Sequence, residues 1–203
     1  TLLDYINNDS SADSMLNSIN GSTSAATQML KAKVSKTGYE NTDKSSEDLQ
    51  NAIDKLAGKK STVFKDARES KDTSKVTAAA QELIDKYNSL VEVMSKTSSS
   101  LDEFYKKALK GLPESIKESL EKVGITYNSD GTLEVDSDKL KKADVDSLEK
   151  IFGSDSEFMK KLSFVTDRIE SNAEANLQSV SSTYSSTADI MSSFNSSKYD
   201  FLG

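Results

Sequence analysis

The sequence contains no cysteine, no histidine and no tryptophan. Without histidine and cysteine, the chain cannot form a Ser-His-Asp triad, a thiol nucleophile or a Cys/His zinc site. Acidic pairs such as Glu92 and Glu103, or Asp136 and Asp138, fit solvated helix faces better than hydrolytic sites. We therefore predict a protein that is not an enzyme, with no catalytic, cofactor-binding or metal-binding residues. The absence of cysteine also excludes disulfides and leaves the cellular compartment open.

Helix-breaking residues and apolar residues are both scarce. The 203 residues include one proline and 8 glycines, and hydrophobic residues make up 35% of the total. Few breaks are therefore forced on long helices, and the apolar content suits narrow seams better than a thick core. The composition predicts a mainly α fold, an elongated bundle of long helices with coiled-coil-like seams.

The sequence lacks two further features that would identify a partner. No apolar run approaches the roughly 20 residues that span a bilayer, so we predict no membrane insertion. The net charge is −7, and an acidic surface repels the phosphate backbone of nucleic acids. Only two arginines, Arg68 and Arg168, are present to clamp phosphates or read bases. Nucleic acid is therefore not an expected partner.

The chain divides into two predicted parts, an N-terminal helical segment over residues 1–71, partly flexible, and a helical region over 72–203. In the first part, we predict one helix over about 11–35, with Gly21 and Gly38 as interruptions of the apolar pattern. Ser45 is the expected N-cap of a second helix. Lys60 occupies a gap in the seam of that helix, where its stem can cover apolar surface. The apolar seam positions are Leu49, Ile53, Leu56, Val63 and Ala67.

Residues 72–110 carry the clearest heptad pattern. Asp72 or Thr73 is expected to cap the helix, and the run from Thr97 to Ser100 is the point where it could break. The seam, in alternating steps of four and three, consists of Val76, Ala80, Leu83, Tyr87, Leu90, Met94, Thr97, Leu101, Phe104 and Ala108. Such a seam wraps around a partner helix, which we expect within the same chain in preference to a second chain.

A long last helix is predicted from a capping box of Ser154 and Glu157. Its apolar positions are Phe158, Leu162, Val165, Ile169, Ala173, Leu177, Val180, Tyr184, Ala188 and Met191. Their spacing averages about 3.67 residues, which favours a straight or slightly right-handed seam. Aromatic residues of the tail, such as Phe194 and Phe201, suggest docking onto the chain itself or onto a partner.

One short stretch, residues 124–140, reads "GITYNSDGTLEVDSDKL" and predicts a β-hairpin at about 125–135. Apolar residues alternate on both sides of a turn in which Asn128, Asp130 and Gly131 tolerate positive φ. Short helices flank the hairpin. We expect Pro113 at the first position of one helix, which Gly124 ends.

Two further caps follow the hairpin, Asp136 and then Asp146 in a capping box with Glu149. The same stretch also resembles part of a calcium loop, in which Gly131 takes the sixth position and Asp130 the fifth. The first and twelfth positions would then be Thr126 and Ser137, which are poor ligands, so the plain hairpin is favoured.

Two segments of the chain resemble the flagellar cap protein family, also called flagellar hook-associated protein 2, and they follow each other in the same order as in that family. The segment "LEKVGITYNSDGTLEVDSDKLKKADVDSLEKIFG" (residues 120–153) resembles the C-terminal region of that family. The matching positions are Leu120, Gly124, Ile125, Asp130, Gly131, Leu133, Asp136, Lys139, Leu140, Leu148 and Phe152. Upstream, "DTSKVTAAAQELIDKYNSLVEVM" (residues 72–94) resembles the family's helix with a Tyr-Asn pair, here Tyr87 and Asn88.

The resemblance implies a structural, self-assembling protein of the filament-cap type, exported to the bacterial flagellum without a cleaved signal. Further copies, flagellin and hook-junction proteins are the partners it implies. The expected packing seam comprises Val76, Leu83, Tyr87, Leu90, Met94, Phe158, Ile169, Val180, Tyr184 and Met191. The family usually carries β-rich domains before the Tyr-Asn helix, whereas residues 1–71 here read as helical. The alternative is a stand-alone helical surface or adhesion module with no flagellar link.

Overall fold

A computed structural model of the chain describes residues 25–97 and 99–199, with side chains described over 30–97 and 99–182. The described part contains eight helices and one antiparallel hairpin. The elements are α1 (Ala25–Ala57), α2 (Val63–Ser70), α3 (Ser74–Met94), α4 (Ser100–Glu114), α5 (Lys117–Lys122), β1 (Ile125–Tyr127), β2 (Leu133–Val135), α6 (Ser137–Lys142), α7 (Val145–Phe152) and α8 (Glu157–Tyr199). The prediction of a mainly α fold with one small hairpin is confirmed.

The chain forms two compact units. One comprises residues 1–40 and 173–203, and the other, which we call the central unit, comprises residues 41–172. In the first unit, the structure describes residues 25–40 of α1 and 173–199 of α8, with an exposed ion pair between Lys36 and Glu40. All contacts discussed below lie within the central unit. The predicted division between residues 71 and 72 stays a prediction.

Two helix boundaries predicted near the N-terminus, a break at Gly38 and a helix start at Ser45, are absent from the structure. Gly38 and Ser45 lie inside α1, so the predicted break and the predicted cap are wrong. One glycine costs a helix only about 1 kcal/mol, which is too little to end it. The helix instead ends at Ala57, where Ser61 Oγ donates to the open Lys55 carbonyl (2.6 Å). Lys60 is therefore exposed in the following turn and occupies no seam position. Residues 11–24, the first part of the predicted helix over about 11–35, lie outside the described part of the chain.

The core of the central unit forms around α1 and α3. Lys55 pairs with Glu82 (2.5 Å) and Lys86 pairs with Asp48 (3.0 Å), which shows that the two helices are antiparallel. Between these surface pairs, both helices bury their apolar seams. The buried seam residues of α1 and α3 include Leu49, Ile53, Leu56, Val76, Ala80, Leu83, Tyr87, Leu90 and Met94. Burial of these residues supplies most of the driving force that holds the two helices together.

The seam of α3 does not continue beyond Met94. Ser99 starts α4 with a capping box, in which Ser99 Oγ accepts from the Asp102 amide and Asp102 accepts from the Ser99 amide, both at 3.1 Å. Asp102 also accepts from Asn172 of α8 (2.8 Å) and is buried. This cap turns Asp102 and Leu109 inward, so Leu101 and Phe104 are 46% and 64% exposed. The predicted break is confirmed, and the predicted seam position of Leu101 and Phe104 is wrong.

The ends of the shorter helices show which caps the sequence predicted correctly. Pro113 lies near the end of α4, and not at the first position of α5, so that prediction is wrong. Gly124, with a φ of 86°, ends α5 as predicted. A Cβ at this position would also lie 2.6 Å from Lys139 Cβ, so the helix end and the start of α6 approach closely there.

Three further caps follow in the chain. Asp136 caps α6 as predicted, accepting from the amides of Asp138 and Lys139. Asp144 caps α7, accepting from the Ser147 amide at 2.8 Å, so the predicted cap at Asp146 is wrong. Ser156 precedes α8 and its Oγ lies 3.3 Å from the Met159 nitrogen, in place of the predicted Ser154. In both cases, the true cap lies two residues from the predicted one, where a similar short polar residue stands.

The contact between α1 and α8 contains a polar layer. Gln50 Nε2 donates to Ser163 Oγ (2.8 Å), while Gln50 Oε1 and Thr166 Oγ1 are buried without a hydrogen-bond partner. Thr166 is fully buried between the apolar seam residues Leu162 and Ile169. An unsatisfied buried hydroxyl weakens a core, since its desolvation is not offset by a hydrogen bond.

We expect Thr166→Val to stabilise the protein by about 1 kcal/mol, because valine keeps the shape and removes the unsatisfied hydroxyl. Urea unfolding would measure the change. Thr77→Val is the matched control, since Thr77 is also buried but its hydroxyl donates to the Ser74 carbonyl (3.1 Å). An equal or larger gain at Thr77 would contradict this explanation.

Candidate functional site

The hairpin docks on the Tyr-Asn pair in the middle of α3. The buried Tyr87 hydroxyl donates to the Gly131 carbonyl in the hairpin turn (2.9 Å). The same hydroxyl lies 3.5 Å from the Leu109 carbonyl. In a regular helix that carbonyl would accept from the residue four positions later, but this residue is Pro113, which has no N–H. Burial raises the pKa of Tyr87, so the hydroxyl keeps its proton and stays a donor.

Asn88 binds the outer edge of β2 through both atoms of its amide. Its Nδ2 donates to the Leu133 carbonyl (2.7 Å) and its Oδ1 accepts from the Leu133 amide (2.8 Å). Leu133 lies opposite Tyr127 in the ladder, where its backbone groups point away from β1. The Asn88 side chain therefore makes the hydrogen bonds that a neighbouring strand would make. The Leu133 amide and carbonyl at this edge both have a partner.

The hairpin turn is held by hydrogen bonds as well as by one glycine. Gly131 has a φ of 92°, and a Cβ there would lie 2.5 Å from Lys110 Cδ. Asn128 and Asp130 were predicted to tolerate positive φ, but among the described non-glycine residues only Lys71 has one. Asp130 instead accepts from the amide and hydroxyl of Thr132 (2.9 and 2.6 Å). The hydroxyl bond is the main reason that the pKa of Asp130 is lowered.

The predicted seam residues lie as follows. Those of α3 and the first part of α8 are buried in the central unit: Val76, Leu83, Tyr87, Leu90, Met94, Phe158 and Ile169. Val180 is half-buried, and the side chains of Tyr184 and Met191 lie outside the described part, as does the aromatic tail beyond residue 199. A role for any of them in a contact with a second chain stays a prediction.

Two regions of the central unit expose large apolar side chains. The α4 stripe, spaced by three and four residues along one side of the helix, consists of Leu101, Phe104, Tyr105, Ala108 and Leu112. Its first two residues are exposed, and the last three are half-buried. On α8, Phe164 is 60% exposed beneath the guanidinium of Arg168, 5.1 Å from the ring centre. Phe164 was not part of the predicted seam. The one sequence signal for its exposure is that it falls outside the apolar spacing of the α8 seam.

A pocket of about 380 Å³ lies between α5, α7 and the start of α8. Its lining mixes buried apolar residues, Val123, Ile151 and Phe158, with polar residues such as Ser119 and Ser156. The exposed residues Lys122 and Lys150 also line it. Sequence reasoning missed this pocket, because its residues come from three elements whose packing no local pattern reveals.

Arg68 joins α2 to α7 through a pair of carboxylates. It contacts Asp146 (2.9 Å) and Glu149, the two residues that the sequence predicted as a capping box. Hydrogen bonds to Glu149 and then to Asp146 raise the pKa of Arg68. The shifted carboxyl groups of the described part have lowered pKa values, caused by hydrogen bonds from neighbouring Ser and Thr residues at Asp72, Asp130 and Asp144. These carboxylates act as caps and turns.

Comparison with known proteins finds one similarity, which covers slightly less than half of the chain. Residues 110–201 match the family model described as flagellar hook-associated protein 2 C-terminus. The resemblance to the C-terminal region of the flagellar cap family is therefore confirmed, and it supports a structural role of flagellar-cap type. The Tyr87–Asn88 helix precedes the matched residues. No curated protein and no solved structure matches the chain significantly.

Proposed function

We propose that this chain is a structural, self-assembling protein of the flagellar hook-associated, filament-cap type, which acts through helix–helix contacts. The match of residues 110–201 to the C-terminal region of flagellar hook-associated protein 2 carries this proposal. The expected partners are further copies of the chain and flagellin or hook-junction proteins. The expected location is the bacterial flagellum outside the cell, after export without a cleaved signal. In the described part of the chain, no helix is both long and apolar enough to cross a membrane.

The α4 stripe supports a role in assembly. The buried side of α4, with Leu109 and Pro113, packs into the central unit. Leu101 and Phe104 extend the apolar surface of the same helix into solvent. A helix with such a wide apolar surface is expected to have a neighbour on each side. Exposed large apolar residues of this kind commonly mark a protein–protein contact.

The hairpin is the second feature that supports a structural role. The matched region contains the hairpin and the short helices that flank it. Tyr87 and Asn88 hold the hairpin against α3, so it serves as a fixed connection between α5 and α6. The carboxyl groups with lowered pKa values belong to caps and turns, and burial raises the pKa of Tyr87, which holds the hairpin.

Sedimentation velocity over a wide range of protein concentration, with and without flagellin, tests the proposal. We expect association of the chain with itself and cosedimentation with flagellin filaments. A chain that stays monomeric at high concentration and ignores flagellin would contradict the proposal. Self-association without any binding to flagellin or hook-junction proteins would favour the stand-alone surface module.

A further inference from the structure

One side of α4 carries two large side chains followed by two small residues in a regular row. Building on the proposed self-assembly, we infer that this row packs against the same row of a second copy, with the two α4 helices antiparallel. The row, which we call the α4 row, consists of Leu101, Phe104, Ala108 and Gly111. Its steps of three, four and three residues place the four positions on one side of the helix.

The α4 row is open at its large end and at its small end. Leu101 and Phe104 are 46% and 64% exposed. At Gly111, a Cβ would meet no heavy atom of the described chain within 4 Å beyond its own stretch of helix, so packing inside the chain does not require a glycine there. Glycine is also unfavourable in the interior of a helix. A glycine at such an open position is expected where the backbone of another element approaches closely.

The residue sizes along the α4 row match those of a second α4 row in reverse order. When two antiparallel copies are related by a two-fold axis, Leu101 of one copy lies opposite Gly111 of the other. Phe104 then lies opposite Ala108, and the two remaining layers repeat these pairs. Each large side chain fills the space above a small residue, as in knobs-into-holes packing. In a parallel pair, the large residues would meet at one end and the small residues would leave a gap at the other.

This match of sizes, and not charge, identifies a second copy as the partner. The exposed residues Glu103 and Lys107 lie beside the α4 row. In the antiparallel pair, Lys107 of each copy lies near the axis, with Glu103 one turn away on its own helix. Exposed charges of this kind are screened by salt and contribute little. Association through the α4 row should therefore depend only weakly on salt.

The contact between two α4 rows is small. From Leu101 to Gly111 the row is about 15 Å long at the usual helical rise. A contact of this length buries less than the roughly 1,200–2,000 Å² of stable specific interfaces. The α4 row alone therefore forms a weak contact, which becomes effective where other contacts already hold two copies close together. Its detection requires a method that traps a weak pairing in the full chain.

Thiol crosslinking tests the antiparallel arrangement. The chain contains no cysteine, so an introduced cysteine reports on one position. The reporter pair consists of Ser100→Cys and Glu114→Cys, both at exposed positions beside the α4 row. In the antiparallel pair, position 100 of one copy lies opposite position 114 of the other, whereas two positions 100 lie about 18 Å apart along the axis and two positions 114 about 24 Å. A short bis-maleimide should link a mixture of the two variants into covalent dimers and leave each variant alone mainly monomeric.

An exchange of large and small residues gives a second test. Leu101→Ala removes a large side chain, and Gly111→Leu fills the space opposite it. When both members of the reporter pair carry the same one of these changes, the crosslinked fraction should fall at least about fivefold. When one member carries Leu101→Ala and the other carries Gly111→Leu, the crosslinked fraction should recover, because every layer again joins a large residue to a small one.

Two controls separate a lost contact from a damaged fold. Phe164→Ala in both reporter copies should leave the crosslinked fraction unchanged, since Phe164 is exposed but lies on α8. Gly111→Leu should melt at no lower temperature than the wild type, because the new side chain enters open space and leucine favours a helix. Circular dichroism would follow the melting of every variant.

The outcomes distinguish this inference from the proposed function. If the mixed reporter pair links no better than either variant alone, or the exchanged pair does not recover, the inference is wrong. The proposed function still stands in that case if the wild type self-associates in sedimentation velocity. If Gly111→Leu instead lowers cosedimentation with flagellin filaments while the reporters fail to link, the α4 row binds flagellin and the inference is again wrong. A wild type that never associates overturns both.

Discussion

Replacing Leu90 by aspartate is expected to unfold the central unit or bring it close to unfolding at neutral pH. Leu90 is fully buried in the middle of α3, next to Tyr87 and Met94 in the same seam. Removal of a buried leucine side chain costs about 2–5 kcal/mol, and an unpaired charge at the same place adds several more. The sum approaches the roughly 5–15 kcal/mol that stabilises a whole domain.

Urea unfolding and far-UV circular dichroism would measure this effect. Leu90→Asn separates the charge from the loss of apolar contact, since asparagine has nearly the same shape as aspartate and no charge. Ala78→Asp places the same charge at an exposed position of α3 and should cost less than about 1 kcal/mol. Equal melting temperatures for Leu90→Asp and the wild type would mean that Leu90 is not in the core.

Replacing Asn88 by aspartate is expected to loosen the hairpin and cost about 2–3 kcal/mol at neutral pH. The new carboxylate can still accept from the Leu133 amide, but it cannot donate to the Leu133 carbonyl. A charged oxygen would then face a carbonyl oxygen across the 2.7 Å that now separates Nδ2 from that oxygen. Hydrogen exchange at Thr126 and Glu134, which pair within the hairpin, would report the loosening.

The pH dependence of this variant gives a second test. A protonated carboxyl regains a donor for the Leu133 carbonyl, so folding favours the protonated form and raises its pKa above that of the unfolded chain. The loss of unfolding free energy relative to the wild type should therefore be smallest at acid pH. It should grow as the pH rises through the raised pKa of the new carboxyl group. Asn88→Leu, which has no titrating group, should show a loss that does not change with pH. A pH-independent loss of stability in the aspartate variant would mean that the side chain at position 88 does not bind the Leu133 carbonyl.

The local features of the chain could be predicted from its sequence. Gly131 and the alternation around it located the hairpin to the residue, because positive φ and period-two burial are properties of a few neighbouring residues. The periodicity of α3 likewise identified its buried side from Val76 to Met94. Helix ends were less predictable. Short polar residues stand close together at Asp144 and Asp146, and only the packing of α7 selects which one becomes the cap.

The candidate site was predictable only in part. The sequence indicated Tyr87, Asn88 and the hairpin as separate motifs but could not show that they bind one another. Three residues of the α4 stripe, Leu101, Phe104 and Ala108, were predicted as the continuation of the α3 seam. Leu101 and Phe104 face solvent because the capping box at Ser99 and the hydrogen bond that Asn172 donates to Asp102 set the rotation of α4. The pocket could not be predicted, since it forms where α5, α7 and α8 meet.

The sequence by itself determined the helical character, the position of the hairpin and the resemblance of the C-terminal region to the flagellar cap family, because each depends on residues that are close neighbours in the chain. The tertiary structure decided how those elements pack against one another and which side of α4 is left open. Asn88 and Leu133 are 45 residues apart, and their pairing depends on how α3, α4 and the hairpin pack. The exposure of Phe104 depends on contacts with α8, 70 residues along the chain from Asp102. Such contacts are selected by the packing of the whole central unit, which no local pattern of residues specifies.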